Sequence, residues 1–249
     1  MAYGGRADAG ETVSGFPRDR IAFQPIVDLT AWRVTGFEAL ARFADGAPPP
    51  EHLDRAEREG VREELELALI ACGIREMELL PRAFSVTFNA SGTTILRPEL
   101  ADLTRPITRG WGLEITEGAT TADLEQVRAR VSAIGGRLLV DDAGAACADE
   151  TRIARLRPDV VKIDRALFWR IAEDADARRE LGGLVGAARD AGARVLVEGV
   201  SSAEQVETAR AFGADYGQGF HLGMPTFAEG VPAMLAELHR GIGVDAAGL

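Results

Sequence analysis

Asp141 and Asp142 stand side by side after a short apolar run, Leu138-Leu139-Val140, and similar polar groups recur along the chain at the ends of other strand-like runs. Glu38, Asn89, Glu114, Asp141, Asp142, Lys162, Glu198 and Gln218 come from seven successive runs of this kind. Any one of them could cap a helix or lie on a solvated rim, because Asp and Asn are preferred N-cap residues. Capping does not explain so many on one mouth. Five carboxylates in a single cleft repel one another and resist ionisation, so a stable site needs cations. Oxygen ligands with an amide, and no His or Cys, select Mg²⁺ or Mn²⁺ rather than zinc. Two adjacent carboxylates can hold a second ion close to the first, the arrangement that cleaves phosphodiesters with an activated water. Lys162 adds a positive charge near that water or phosphate. An ion pair between Lys162 and Asp141 or Glu198 is its structural reading, and it is compatible with the chemical one.

Such groups converge only if the strands do. The run before Asp141 is apolar on both faces, as in a parallel sheet covered by helices. Residues 21–28 and 34–42 read as two strands paired in a hairpin through a turn at 30–33, and Glu38 and Arg42 share one face of the second. Further strands are expected at 84–89, 112–117, 159–164, 193–198 and 214–220. Helical patterning appears at 51–80, where Leu65, Leu69 and Cys72 form a stripe with acidic residues opposite. It recurs at 121–134, around Leu181, Leu184, Val185 and Ala188, at 201–212 and at 227–238. Strands alternating with helices in a chain of 249 residues predict an α/β fold, an eight-stranded barrel with the first hairpin as its departure from strict alternation. A doubly wound open sheet is the alternative, disfavoured because no Gly-rich phosphate fingerprint follows an early strand. Residues 1–18, rich in Gly, Ala and charge, read as a flexible leader, 19–240 as the barrel domain and 241–249 as a C-terminal tail.

The net charge is −11, from 39 acidic and 28 basic residues. A surface this acidic repels phosphate backbones, which argues against nucleic acid polymers and anionic membranes as partners. A phosphate ester ligand would need cations to mediate its binding. Two cysteines, Cys72 and Cys147, lack metal-ligand spacing and suggest a reducing compartment. No apolar run approaches a membrane span, and the N-terminus lacks an apolar signal segment, so a cytoplasmic location is expected.

The order and spacing of several short motifs resemble those of EAL-domain cyclic di-GMP phosphodiesterases over about residues 21–225. They are Gln24-Pro25-Ile26, Glu38-Ala39-Leu40 with Arg42, Phe88-Asn89, Leu113-Glu114-Ile115-Thr116-Glu117, Asp141-Asp142, Lys162-Ile163-Asp164, Glu198-Gly199-Val200 and Gln218-Gly219-Phe220. The resemblance implies a (β/α)8 TIM-like barrel with one antiparallel strand near the N-terminus. It also implies hydrolysis of cyclic di-GMP to linear pGpG with two Mg²⁺ or Mn²⁺ ions. Glu38, Asn89, Glu114 and Asp141 would then be metal ligands, Asp142 would lie near the second ion, and Glu198 would serve as ligand or general base. Lys162 and Gln218 would position the water and its surroundings, and Gln24, Leu40 and Arg42 would contact the dinucleotide. A homodimer is a family expectation, and regulation is expected through oligomerisation, a protein partner or expression.

The stretch after Asp142 departs from the family pattern Asp-Asp-Phe-Gly-Thr-Gly-Tyr. Ala143 and Cys147 stand where that pattern has aromatics, and Ala146 where it has glycine. These changes predict a loop that has lost packing anchors and backbone freedom. Ser201 replaces a glutamate that tethers this loop, and with Glu204 it is expected to form a capping box. Two readings follow: a phosphodiesterase, slow or partner-dependent, or a catalytically weak or inactive module that binds cyclic di-GMP or a protein. Retention of the whole ligand set favours hydrolysis, since a module without metal chemistry has no physical need for clustered carboxylates.

Overall fold

The computed structural model describes residues 20–115, 124–145 and 149–245. Its strands are β1 (Arg20–Asp28), β2 (Arg33–Arg42), β3 (Ser85–Ala90), β4 (Trp111–Ile115), β5 (Arg137–Ala143), β6 (Val160–Ile163), β7 (Arg194–Val197), β8 (Tyr216–Gly217) and β9 (Thr226–Phe227). The helices are α1 (Pro49–Glu59), α2 (Arg62–Glu76), α3 (Gly92–Leu96), α4 (Glu99–Thr104), α5 (Leu124–Ala133), α6 (Asp149–Leu156), α7 (Arg165–Arg170), α8 (Ala175–Asp190), α9 (Ala203–Ala211) and α10 (Val231–Ile242).

Strands β1 to β8 close into a barrel, because β1 pairs with both β2 and β8. Both of those pairings are antiparallel, whereas the pairs from β2–β3 to β7–β8 are all parallel. The expected (β/α)8 barrel with one antiparallel strand is therefore the observed fold. The β1–β2 hairpin turns on Asp28, whose Oδ1 accepts hydrogen bonds from the backbone N–H groups of Thr30 and Ala31. β9 lies outside the ring, paired to Ala22 and Phe23 of β1.

The helical stretch expected at 51–80 is split. Gly60 ends α1 in the left-handed conformation, φ 70°, and its N–H returns to the carbonyls of Ala56 and Glu57, so α2 starts anew. The final helix starts later than expected, because Thr226–Phe227 is claimed by β9, and it runs on to Ile242, where Gly243 ends it with φ 71°. Packing continues past residue 240: Val244 is fully buried, and Asp245 exchanges backbone hydrogen bonds with Trp32 and Val34. The expected leader, Thr116, Glu117, Ala146 and Cys147 lie outside the described residues.

Inside the barrel, Ile26, Leu139, Val160 and Leu196 form an apolar cluster with Tyr216 packed against it. Because side chains alternate along a strand, the residues two positions toward the C-terminal mouth face inward as well. Those residues are Gln24 on reversed β1, Asp141, Lys162, Glu198 and Gln218. The apolar layer is thus a floor, and the polar layer stands on it.

Candidate functional site

Lys162 occupies the centre of that polar layer, 1% exposed. Its Nζ lies 2.7 Å from Asp141 Oδ1, 2.7 Å from Glu198 Oε1 and 3.5 Å from Glu38 Oε2, and it is in direct contact with Glu114 Oε2. Four strands, β2, β4, β5 and β7, therefore meet at one ammonium group. The ion pair anticipated with Asp141 or Glu198 is made with both.

The remaining polar groups form a second tier of contacts. Asn89 Nδ2 donates to Glu38 Oε1 at 2.9 Å, and Gln218 Nε2 donates to Glu38 Oε2 at 2.8 Å and to Gln24 Oε1 at 3.2 Å. Thr87 Oγ1 donates to Glu114 Oε1. Glu38 is thereby held from β3 and from β8, across the closure of the barrel.

Asp142 should point away from Asp141, since consecutive strand residues face opposite sides. The structure resolves this with an irregularity in the β5–β6 pairing after Val140, where Asp142 adopts a left-handed backbone, φ 55°. Asp tolerates this conformation better than most residues. As a result, carboxylate oxygens of Asp141, Asp142 and Glu198 lie within 4.8 Å of one another.

Burial pushes the Glu114 carboxyl well above the usual carboxylate range, and neighbouring Glu38 adds to this while Lys162 opposes it. Glu198 is pushed up to about 7, chiefly by burial, with Lys162 pulling it down and Asp141 and Glu38 raising it. Burial alone would depress Lys162, but Asp141, Glu114, Glu198 and Glu38 outweigh it and hold the ammonium well above its ordinary value. One lysine cannot neutralise five carboxylates. This excess of anionic oxygen, with three of the carboxylates converging, fits a hard divalent cation.

Two cavities open from this layer. One, of about 260 Å³, lies on the β2–β3 side beneath α1 and α2, with Glu38, Leu40, Leu69, Phe88 and Asn89 among its lining residues. The other, of about 280 Å³, lies on the β7–β8 side, where Gln24, Glu38, Glu198 and Gln218 form part of its wall. Leu40 and Gln24 thus belong to different cavities. Arg42 lies beyond Leu40 at the end of β2, and its guanidinium donates to the carbonyl of Ala41 at 2.8 Å.

Of the segment after Asp142, Ala143 is described, whereas Ala146 and Cys147 are not. Ala143 is fully enclosed in the main core and hydrogen-bonded through its carbonyl to the N–H of Asp164. Ser201 is not the helix cap. Ser202, with extended backbone, caps α9 by accepting from the N–H of Gln205, and Gln205 Oε1 reaches back to accept from the N–H and Oγ of Ser201. The cap is therefore shifted one residue along, with Gln205 in the place expected for Glu204, and the Gln205 side chain returns to Ser201, the residue before the cap.

Sequence reasoning missed Thr87 and Glu66. Thr87 shares the face of Asn89, and that period-two spacing was its signal. Glu66 belongs to a helix whose acidic residues are expected opposite its apolar stripe, yet it is buried. It accepts from the N–H and Oγ of Ser91, two residues beyond Asn89, and pairs with Arg62 Nε at 2.9 Å.

An EAL domain profile matches residues 17–225. The chain belongs to the EAL domain family. It is 28% identical over 223 residues to an uncharacterized protein of Azorhizobium caulinodans, covering 81% of this chain and 30% of that one. It is also 28% identical to an uncharacterized protein of Mycobacterium tuberculosis, over 85% of this chain and 75% of the other. This EAL chain spans 28% and 27% of the length of relatives from Sinorhizobium fredii and Caulobacter vibrioides. Among solved structures, the PaMucR phosphodiesterase in complex with c-di-GMP superposes with a TM-score of 0.75 at 26% identity, covering 86% of this chain and 99% of that one. A manganese and cyclic di-GMP complex of Klebsiella pneumoniae BlrP1 shares the fold, with a TM-score of 0.75 at 24% identity over 88% of this chain and 59% of the other.

Proposed function

We propose that this EAL domain is a metal-dependent phosphodiesterase that hydrolyses cyclic di-GMP to linear pGpG. The observation that carries this reading is the convergence of the Asp141, Asp142 and Glu198 carboxylate oxygens within 4.8 Å, beside a fully buried lysine, at the mouth of an EAL barrel. Glu38, Asn89, Glu114 and Asp141 would hold one Mg²⁺ or Mn²⁺ ion, and Asp142 and Glu198, with Asp141, a second. Such ions, when bound, supply positive charge for a phosphoryl group and acidify a water.

The protein's own groups do the rest. Lys162 gathers the carboxylates against their mutual repulsion and presents a fixed positive charge beneath the mouth. Gln218 and Asn89 fix the two oxygens of Glu38, so its orientation does not depend on solvent. Glu198 stands at the edge of the buried layer and faces a cavity, where it can receive a proton from water. In the overall step a water oxygen bonds to phosphorus, one ribose P–O bond breaks, and the departing oxygen takes up a proton. The cavities on either side of Glu38 give the bases separate places, with Leu40 at one and Gln24 at the other. Arg42, one of whose nitrogens donates to the carbonyl of Ala41, has further N–H donors for a phosphate.

Dimerisation or a protein partner is where this reading places regulation. Among the described residues no helix is long and apolar enough to cross a membrane. Together with the cysteine usage, this supports a cytoplasmic location. The test is incubation of purified protein with cyclic di-GMP and Mn²⁺ or Mg²⁺, with products resolved by chromatography. Accumulation of pGpG that stops on chelation is the expected result. Binding without turnover would select the sensing module instead, and neither binding nor turnover would remove cyclic di-GMP as the ligand.

A further inference from the structure

Four large apolar side chains are conspicuously exposed among the described residues, and two of them, Trp169 at 50% and Phe220 at 65%, line the cavity on the β7–β8 side. Trp169 lies in α7, just past Lys162, and Phe220 follows Gln218 by two residues. Trp169 is held in place. The indole Nε1 of Trp169 donates to the carbonyl of Gly199 at 2.8 Å, which fixes the ring beside Glu198. Gly199 permits this approach: its φ is 69°, and a Cβ there would lie 2.5 Å from Arg165 Cβ. Arg165 places its guanidinium 5.8 Å from the centre of the Trp169 ring.

A tryptophan oriented by its own N–H and kept exposed has given up burial without gaining a core contact. An indole ring and the guanidinium that lies over it are both flat surfaces on which a nucleobase stacks, and such stacking tolerates any base. The cavity supplies an independent polar anchor. Gln218 is 3% exposed, its Nε2 is committed to Glu38 and Gln24, and its Oε1 is buried without a donor among the described residues. A purine bearing N–H donors on its edge would satisfy it. At about 280 Å³ the cavity is small for a whole dinucleotide and suited to part of one.

We propose that Trp169 and Arg165 form a nucleobase platform on the Glu198 side of the mouth, receiving one guanine of the dinucleotide. This rests on the cyclic di-GMP reading. The two residues contribute binding to the base and take no part in bond breaking.

The test is isothermal titration of wild type, Trp169→Ala, Trp169→Phe and Arg165→Ala with cyclic di-GMP, alongside tryptophan fluorescence. Loss of one stacked base should raise the Kd of Trp169→Ala roughly tenfold or more. Trp169→Phe, which keeps an aromatic face, should recover most of that loss. Wild-type emission should be quenched on titration and that quenching should vanish in Trp169→Phe. In turnover, KM should rise more than kcat falls in Trp169→Ala and Arg165→Ala. Melting curves with and without Mn²⁺ check that each variant folds and retains its metal response. Wild type binding cyclic di-GMP while folded Trp169→Ala and Arg165→Ala bind equally well would overturn the platform and leave the phosphodiesterase reading standing. Wild type that fails to bind cyclic di-GMP would overturn that reading and the platform with it.

Discussion

Lys162 Nζ lies 2.7 Å from Glu198 Oε1, joining the sixth strand to the end of the seventh, with the lysine 1% exposed and the glutamate side chain 20% exposed at the mouth. The contact gives Lys162 a structural duty apart from any chemistry. It is the internal counter-ion for carboxylates arriving from four strands.

Replacing Lys162 with Met keeps the volume and removes the charge. Leaving the partners of a buried ion pair uncompensated typically costs about 3–5 kcal/mol. Urea unfolding in chelator should show a loss of that order for Lys162→Met, and saturating Mn²⁺ should narrow the difference from wild type. A variant as stable as wild type in chelator would mean that the carboxylates relax without the lysine.

Asp142 supplies a separable test, because its charge and its backbone conformation can be altered independently. Asn also tolerates a positive φ, so Asp142→Asn should melt near wild type without metal but gain less from Mn²⁺. Asp142→Val carries a left-handed penalty of about 1–2 kcal/mol and should lose stability in chelator as well. If Asp142→Asn gains as much from Mn²⁺ as wild type does, Asp142 is not a ligand.

The barrel and most of its inward polar layer were legible because strand alternation is a strict geometric rule. Once Leu139, Val160 and Leu196 are taken as inward, Asp141, Lys162 and Glu198 must be inward too. Asp142 breaks the rule, and the adjacent carboxylates suggested a shared mouth without revealing the backbone irregularity that brings both there. The burial of Glu66 was hidden for a different reason. An acidic residue on a helix reads as solvated unless its partners are known, and those partners, Ser91 and Arg62, are set by tertiary packing. The one-residue shift of the α9 cap was invisible because Ser201 and Ser202 are both good caps and Glu204 and Gln205 both good box partners.

Glu66 bridges α2 to the turn directly after Asn89, so it should govern how firmly that amide is held. Glu66→Ala would leave the N–H of Ser91 without its acceptor and would take from Arg62 the nearer of its two carboxylates, leaving Glu57, a loss of about 1–3 kcal/mol. The expected signature is a lower melting temperature together with weaker Mn²⁺ stabilisation, although Glu66 is not itself proposed as a metal ligand. An unchanged metal response would confine Glu66 to structural support.

Comparison with the family pattern suggests restoring an aromatic at Ala143, whereas the enclosed site argues against it. Ala143 has no exposed surface and sits between the β6 partner Ile163 and the main core. Phe there should overpack the site and destabilise the fold by about 1–3 kcal/mol without raising turnover. A folded Ala143→Phe variant with unchanged melting temperature and faster hydrolysis would show that the segment yields to the larger side chain.

Ser201 and Ser202 differ in what they hold, and the difference can be measured. Ser202 Oγ accepts from the N–H of Gln205 at the start of α9, whereas the hydroxyl of Ser201 donates to the Gln205 side chain from an exposed position. Ser202→Ala should therefore cost about 1 kcal/mol, the usual loss on removing an N-cap. Ser201→Ala keeps its backbone N–H bond to Gln205 and should change stability by less than half as much. Gln205→Ala removes the acceptor for both Ser201 donors and should fall between the two. Chemical denaturation of the three variants checks the order, and a Ser201→Ala loss equal to or larger than that of Ser202→Ala would move the cap back to Ser201.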